Sequence, residues 1–401
     1  MGLNDVSSGE RLHIGFFGLR NAGKSSLVNA VTGQELSVVS HIKGTTTDPV
    51  RKAMELLPIG PVVIIDTPGL DDEGELGALR VEKAKRVLAE TDIAVLVADA
   101  AHDLSAADKE LLALFSARGT PYLVARSKAD LLSELPQAGA QEVFLSAKTG
   151  FGIQTLKERL GAFADAAQNK KQLVADLLQP GDLVVLVVPI DESAPKGRLI
   201  LPQQQTLRDI LDAHCLAAVC QDTELSQTLS ALQKPPRLVI TDSQAFSRVA
   251  KDVPPEVLLT SFSILFARYK GSLPELVRGA AALSRLHDGA RVLICEGCTH
   301  HRQCGDIGTV KMPRWIKAHT GKELSFCFTS GRDFPDDLSS YSLVVHCGGC
   351  MLNEAEMQHR IRLAKQSGTP IVNYGIAIAH MNGILRRSLA PFPDMLALLE
   401  D

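Results

Sequence analysis

Two groups of residues in this 401-residue chain have the types and spacing needed for chemistry. The first is the run Gly18-Leu-Arg-Asn-Ala-Gly-Lys-Ser25, which fits the phosphate-binding pattern G-x-x-x-x-G-K-[ST]. Its glycines let backbone N–H groups wrap a phosphate, and the helix that follows adds a favourable dipole. Lys24 supplies a positive charge to the outer phosphates, and Ser25 can bind Mg²⁺. The residues of this loop that we expect to contact a nucleotide are Gly18, Asn21, Gly23, Lys24, Ser25 and Ser26.

Two later segments can complete the contacts to the metal and the γ-phosphate. Asp66-Thr-Pro-Gly69 follows an apolar run, so the Asp66 carboxylate can hold Mg²⁺ through water and the Gly69 amide can contact the γ-phosphate. Thr46, in the segment 44–48, is our choice for the second Mg²⁺ ligand. We therefore expect Lys24, Thr46 and Gly69 to be catalytic. The expected Mg²⁺ ligands are Ser25, Thr46 and Asp66.

The base of the nucleotide is expected to lie against two further segments. In Ser127-Lys-Ala-Asp130, the Asp130 carboxylate can accept the two N–H groups that guanine has and adenine lacks. The usual guanine motif has Asn where this chain has Ser127, which predicts reduced guanine affinity or selectivity. Ser146-Ala-Lys148 follows the next apolar run and supplies a backbone contact to the guanine oxygen. The order and spacing of these segments predict a GTPase, with base contacts from Lys128, Asp130, Ser146, Ala147 and Lys148.

The second group consists of cysteines that follow apolar runs. Cys298-Thr-His300 comes shortly after one run, and His346-Cys-Gly-Gly-Cys350 closes another. Ligands collect at the carboxyl ends of parallel strands, so we expect both segments to meet in one crevice. Thiolates bind iron–sulfur clusters or zinc, and three thiolates with a different fourth ligand favour an exchangeable position. The alternative is that these cysteines are buried structural residues.

The candidate ligands are Cys298, Cys347 and Cys350. His300 and His346 each flank a ligand thiol and can ligate, hydrogen-bond a sulfide or carry protons. Cys295 lies inside a predicted strand, so we expect it to be a core residue.

Alternating apolar runs and amphipathic stretches predict the elements that position both groups. In the first region, the expected strands are 12–17, 62–65, 93–98, 122–125 and 143–145, with helices between them. Strand and helix in alternation predict an α/β fold with a mostly parallel sheet covered on both faces. Regions 169–260 and 261–401 repeat this logic, with strands near 183–188, 238–241, 291–295, 342–346 and 371–373 and a loop over 191–203. We expect boundaries of 1–168, 169–260 and 261–401 for the three domains.

Composition excludes several classes of protein. Hydrophobic residues make up 45% and charged residues 22% of the chain, which is typical of a folded protein. A net charge of −4 argues against a nucleic-acid-binding surface. The N-terminus has no signal-peptide pattern, and no apolar run approaches a membrane span. We expect a soluble, cytoplasmic protein that binds neither nucleic acid nor membrane.

The nucleotide motifs resemble the translation-factor-related GTPases of the Era and TrmE kind. Asn21 stands where the potassium-stimulated members have an asparagine. Leu70 stands after Gly69, where Ras-like enzymes have a catalytic glutamine that orients water. The resemblance implies slow intrinsic GTP hydrolysis that K⁺ or a loop rearrangement accelerates.

The pairing of such a GTPase with C-x-H and a later H-C-x-x-C resembles the [FeFe]-hydrogenase maturation GTPases. The stretches 179–203 and 295–301 carry the same resemblance, which therefore covers all three regions. It implies a GTPase domain, a middle domain that forms a homodimer, and a C-terminal domain whose three cysteines bind a [4Fe–4S] cluster. It also implies a scaffold that delivers a di-iron subcluster to apo-[FeFe]-hydrogenase, downstream of two radical-SAM maturases.

Two other functions are compatible with the same residues. In a zinc-containing, RNA-related GTPase, the three cysteines and a histidine would close a tetrahedral site. In a purely regulatory GTPase, the cysteines would be structural. The acidic balance of the chain counts against the RNA-related function.

Overall fold

The computed structural model describes residues 8–34, 49–68, 82, 84–168, 172–190, 199–297, 306–331 and 333–399. The chain divides into two compact units, which are described separately below. The first consists of residues 1–170, with the short segment 353–356 assigned to it, and the second of the remaining residues. None of the helices in the described ranges is long and apolar enough to cross a membrane.

The first unit is built on a six-stranded sheet with the order β2-β3-β1-β4-β5-β6. Only β2 runs antiparallel to its neighbour, and the other pairs are parallel. The strands are β1 (Leu12–Phe17), β2 (Val50–Leu56), β3 (Gly60–Asp66), β4 (Ile93–Asp99), β5 (Tyr122–Ser127) and β6 (Glu142–Phe144). Five of these confirm the predicted strands. β2 was not expected, because it is an edge strand with a mostly exposed surface and no apolar run.

Helices cover both faces of this sheet. They are α1 (Lys24–Thr32), α2 (Ala106–Arg118) and α3 (Ile153–Gln168). Ile14 and Phe16 of β1 share a buried cluster with Leu156 of α3, whereas Phe17 packs against Phe115 of α2 with ring centroids 5.2 Å apart. Successive residues of β1 thus bury opposite faces, which is why the strand is buried along almost its whole length.

The second unit begins with a four-stranded parallel sheet of order β10-β9-β7-β8. Its strands are β7 (Leu183–Val187), β8 (Leu216–Cys220), β9 (Leu238–Thr241) and β10 (Leu258–Ser261). Its helices are α4 (Leu201–Asp212), α5 (Leu225–Ala231), α6 (Phe246–Asp252) and α7 (Phe262–Tyr269). The expected loop over 191–203 is wrong for its last three residues, because Pro202 lies in the first turn of α4, where a missing N–H costs nothing.

The same unit contains a second four-stranded parallel sheet of order β12-β11-β13-β14. Its strands are β11 (Arg291–Glu296), β12 (Ser325–Ser330), β13 (Leu343–His346) and β14 (Ile371–Asn373). Its helices are α8 (Leu273–Ser284), α9 (Met312–Thr320), α10 (Glu354–Gln366), α11 (Tyr374–Met381), α12 (Leu385–Ser388) and α13 (Pro393–Leu396). β12 was not expected, since this edge strand is only half-buried and carries polar residues.

Both the first and the third sheet reverse their strand order at one place. In the first sheet, the chain passes from β1 outward to β3 and then back to β4 on the other side of β1. In the third, it passes from β11 to β12 and then back to β13 on the other side of β11. Ligands of open parallel sheets bind at such reversals, outside the carboxyl ends of the strands. The phosphate loop follows β1, and the cysteine motifs follow β11 and β13.

Candidate functional site

The phosphate loop has a backbone that its glycines make possible. A Cβ at Gly18 would lie 2.3 Å from the Val97 carbonyl oxygen, so a larger residue does not fit there. Asn21 and Gly23 have φ angles of 60° and 89°, in the left-handed region. Gly23 precedes α1, so the loop ends at the N-terminus of a helix. This arrangement suits an anion, because the free N–H groups and the dipole both face it.

Lys24 and Ser25, at the end of this loop, converge on Asp66 at the end of β3. The Lys24 ammonium is buried, and its Nζ lies 4.0 Å from Asp66 Oδ1. Ser25 Oγ donates a hydrogen bond to Asp66 Oδ2 at 3.0 Å. Asp66 Oδ1 itself has no hydrogen-bond partner within the described ranges. A lysine, a hydroxyl and a carboxylate are thus brought together, as a site for Mg²⁺ and phosphate requires.

Two of the predicted residues of the nucleotide site fall outside the described ranges. Thr46 and Gly69 lie outside those ranges, as does Leu70. Ser26 is half-buried in the first turn of α1.

Ser127 joins the expected base-binding segment to the phosphate loop. It ends β5, is buried, and donates a hydrogen bond from its hydroxyl to the Ala22 carbonyl oxygen. The next residue, Lys128, has a φ of 58°, and its Nζ donates to Asp99 Oδ2 at 2.8 Å. The Asp130 side chain is exposed. The hydroxyl at position 127 therefore fixes one loop to the other, a role that the sequence did not indicate.

The last nucleotide segment is a tight turn beside the base-binding segment. The Ser146 N–H donates to the Phe151 carbonyl at 2.9 Å, and the Gly150 N–H donates to the Ser146 carbonyl at 2.9 Å. Ser146 is buried, Ala147 is half-buried and Lys148 is exposed. Ala147, the middle residue of the motif, is therefore partly exposed to solvent.

Strand register aligns three residues at the ends of strands in the third sheet, and it thereby brings together the three residues that follow them. Cys295, His346 and Asn373 are paired across β11, β13 and β14. The residues that follow them are Glu296, Cys347 and Tyr374. The Cys347 N–H donates to the Cys295 carbonyl at 2.8 Å, so the pairing continues to this row. Neighbours in a parallel register share a face, and the row therefore holds a carboxyl, a thiol and a phenol.

The backbone around Cys347 is folded around its sulfur. The N–H groups of Gly297 and Gly349 lie 3.0 Å and 3.4 Å from Cys347 Sγ and donate to it. Gly349 has a φ of 64°, and a Cβ there would lie 2.7 Å from Met357 Sδ. Gly297 directly precedes Cys298, so the chain enters the first cysteine motif in contact with the second. Cys298 and His300 themselves lie outside the described ranges.

Cys350 lies on a turn that a buried lysine holds in place. Lys270, after α7, is 4% exposed. Its Nζ donates to the carbonyls of Cys350 and Leu352 at 3.3 Å and 3.0 Å. Burial raises the pKa of the Cys350 thiol, and the nearby positive charge of Lys270 counteracts that effect.

His346 lies on the other side of β13 from Cys347, and both of its ring nitrogens have protein partners. Its Nε2 lies 3.0 Å from Nη1 of the buried Arg360 and accepts from it. Its Nδ1 then donates to the Cys347 carbonyl at 2.7 Å. Burial and the Arg360 charge lower the pKa of His346 to about 3, so the ring is neutral. In this geometry, His346 orients the cysteine loop.

Cys295 confirms the expectation of a core residue, since it is fully buried and burial raises the pKa of its thiol to about 11. In the part of the chain that the structure describes, no three His, Cys, Asp or Glu side chains converge on a metal site. Lys270, Arg360, Glu296 and Tyr374 were not anticipated. Their positions depend on which distant segments become neighbours, and the local sequence carries no signal of that.

Three family models match consecutive parts of the chain. Residues 13–128 match a 50S ribosome-binding GTPase model. Residues 173–271 match the hydrogen maturase F dimerization domain, and residues 274–391 match the hydrogen maturase F tetramerization domain. The chain belongs to the hydrogen maturase F family. The two hydrogen maturase F models meet near residue 272.

Curated relatives match the GTPase domain. The chain is 35% identical over 152 residues to the tRNA modification GTPase MnmE of Thiobacillus denitrificans, covering 38% of this chain and 33% of the relative. It is 33% identical over 175 residues to the GTPase Der of Kosmotoga olearia, covering 39% of each. The chain thus spans between a third and two fifths of the length of these relatives.

Among solved structures, Era of Aquifex aeolicus bound to GDP and AlF4⁻ matches with a TM-score of 0.34 and 18% identity. That match covers 60% of this chain and 99% of the Era chain.

Proposed function

We propose that this chain is a GTP-hydrolysing scaffold that binds a [4Fe–4S] cluster and assembles and delivers a di-iron subcluster to apo-[FeFe]-hydrogenase. One observation carries the proposal. In a hydrogen maturase F domain, the Cys347 sulfur lies at the strand reversal of the sheet and accepts two backbone N–H groups. The di-iron subcluster is cargo in this proposal, and the [4Fe–4S] cluster is the resident group.

In the first unit, the residues around Asp66 are arranged for GTP hydrolysis. Ser25 and Asp66, with Thr46, would hold Mg²⁺, which neutralises charge on the phosphates when it is bound. The buried Lys24 ammonium stabilises charge that develops on the phosphate oxygens, and the Gly69 N–H contacts the γ-phosphate. Asn21, on its left-handed backbone, is positioned in the loop as a candidate K⁺ ligand. Lys128, Asp130 and the turn 146–148 would contact the guanine base.

The residues of the third sheet fit an iron–sulfur cluster. Thiolates are the usual ligands of such clusters, and hydrogen bonds from N–H groups to their sulfurs tune the cluster. Cys347 already accepts two such bonds, and the buried Lys270 places a positive charge beside the Cys350 turn. Cys298, Cys347 and Cys350 would hold the cluster, with His300 as a candidate further ligand. His346 supports the loop instead of ligating, because both of its nitrogens have partners.

Oligomerisation and partners follow from the same domains. β8 is an edge strand of the second sheet, and its Leu216 and Val219 are 61% and 47% exposed. An apolar edge strand invites pairing with another copy, so we place the homodimer contact there.

GTP would order the loops of Thr46 and Gly69 and so bias docking or release of the hydrogenase and of the two radical-SAM maturases.

The test is metal reconstitution of anaerobically purified full-length protein. After incubation with iron and sulfide, the wild type should turn brown and show the EPR signal of a reducible [4Fe–4S] cluster. Cys298→Ser, Cys347→Ser and Cys350→Ser should each weaken or abolish that signal, while the control Cys327→Ser, on edge strand β12, should keep it. A colourless wild type that holds one zinc per chain would overturn the proposal in favour of a zinc-containing GTPase.

A further inference from the structure

The Tyr374 hydroxyl is buried without a partner. The residue is 8% exposed, and its Oη has no hydrogen-bond partner in the described part of the chain. Buried phenol groups normally find an acceptor, because an O–H group removed from water without one is unfavourable. A ligand that binds beside the ring can supply the missing acceptor.

The position of the ring is fixed by the sheet. Tyr374 follows Asn373 of β14, which pairs with His346 of β13. Asn373 also caps α11, since its Oδ1 accepts the Ile376 N–H at 2.8 Å. Tyr374, the first residue of α11, and Cys347 therefore directly follow two paired strands, and they lie close enough for the Cys347 thiol to affect the Tyr374 hydroxyl.

A glycine packs directly against the hydroxyl. A Cβ on Gly308 would lie 2.4 Å from Tyr374 Oη and 2.5 Å from Glu296 Oε1. The phenol and the carboxyl thus lie against the same glycine, yet no hydrogen bond joins Tyr374 to Glu296 or to another described residue. Burial raises the pKa of Tyr374, and the neighbouring Cys347 thiol and Glu296 carboxyl raise it further. The hydroxyl therefore keeps its proton and remains a donor.

We infer that the Tyr374 hydroxyl donates a hydrogen bond to a sulfur atom on the Cys347 side of a bound iron–sulfur cluster. This bond would raise the reduction potential of that cluster. The inference rests on the proposed cluster site. A hydrogen bond to a cluster sulfur stabilises the more negative, reduced form and so raises the potential. The Tyr374 hydroxyl would thus act on the charge of the bound cluster. It makes no hydrogen bond to the described residues.

The experiment is an anaerobic redox titration of the reconstituted full-length protein, followed by EPR. Tyr374→Phe removes only the hydroxyl, so the equilibrium constant for reduction should fall about threefold to tenfold. That is a shift of about 30–60 mV to more negative potential, since a tenfold change corresponds to 59 mV for one electron. The matched control is Tyr341→Phe, which lies before β13, at the opposite end of that strand from Cys347, and should leave the potential unchanged.

A second measurement separates this role from a structural one. Without a cluster, the hydroxyl has no partner among the described residues, so cluster-free Tyr374→Phe should unfold at the same temperature as the cluster-free wild type or a higher one. If Tyr374→Phe fails to hold a cluster, Gly308→Ala decides, because its methyl group would displace the hydroxyl and should lower the potential in the same direction.

Three results would overturn the inference. They are an unchanged potential in Tyr374→Phe, an equal shift in Tyr341→Phe, and a lower unfolding temperature of the cluster-free Tyr374→Phe protein. Failure of the proposed function is distinguishable, because then the wild type itself would take up no iron–sulfur cluster.

Discussion

The nucleotide site and the cysteine site occupy equivalent places in two parallel sheets, but their polar groups are satisfied in different ways. Around Asp66, charged side chains contact one another, and one carboxylate oxygen is left without a hydrogen bond in the described ranges. Around Cys347, the partners are backbone groups: two N–H groups donate to the sulfur, and the Lys270 ammonium donates to carbonyls. The topology fixes where a ligand binds, and the residues at the strand ends decide which ligand it is.

At the nucleotide site, the phosphate itself would be held by backbone N–H groups of the loop, so the loop should be sensitive to backbone shape. In Gly18→Ala, the new Cβ would lie 2.3 Å from the Val97 carbonyl, and the φ of 147° is unfavourable for alanine. Backbone strain of about 1–3 kcal/mol should weaken GTP binding roughly 5- to 150-fold. Equilibrium binding of a fluorescent GTP analogue measures this effect. Gly161→Ala, inside helix α3, is the control, because its Cβ would lie 3.4 Å or more from its neighbours, and it should bind normally.

At the cysteine site, the largest effect on stability should come from the buried lysine. Lys270→Met leaves the Cys350 and Leu352 carbonyls without this donor, which should cost about 1–3 kcal/mol of unfolding free energy. Thermal unfolding of the full chain should show a lower transition temperature. Lys322→Met, which breaks only an exposed ion pair with Asp288, should change the unfolding free energy by less than about 0.5 kcal/mol. Equal losses in both variants would contradict the role given to Lys270.

The smallest effect concerns the bond between the two nucleotide loops. Ser127→Ala removes the hydrogen bond to the Ala22 carbonyl, worth about 0.5–1.5 kcal/mol. GTP binding should therefore weaken about two- to tenfold, while the exposed control Ser116→Ala should bind as the wild type does. Unchanged binding in Ser127→Ala would show that the phosphate loop keeps its shape without this bond.

The elements that position both sites were predictable from sequence because they are buried on both faces. β1, β11 and β13 are apolar over most of their length, and each was predicted from its residues alone. The edge strands β2 and β12 carry exposed or polar residues and were missed for that reason.

Contacts between distant segments were not predictable. The row of Glu296, Cys347 and Tyr374 depends on the register of three strands, and a single-sequence pattern does not fix that register. The bond from Ser127 to Ala22 joins residues 105 positions apart in the chain, so a motif search could register only the missing asparagine.

In the proposed function, cluster binding does not depend on GTP hydrolysis, and Lys24→Ala tests this most directly. Lys24 is buried beside Asp66 and contacts phosphate in the proposal, so its loss should slow GTP hydrolysis by at least roughly 100-fold. Phosphate release and the EPR signal should be measured on one reconstituted preparation of Lys24→Ala beside the wild type. We predict lost hydrolysis with an unchanged cluster signal, and loss of the cluster signal together with hydrolysis would contradict the account.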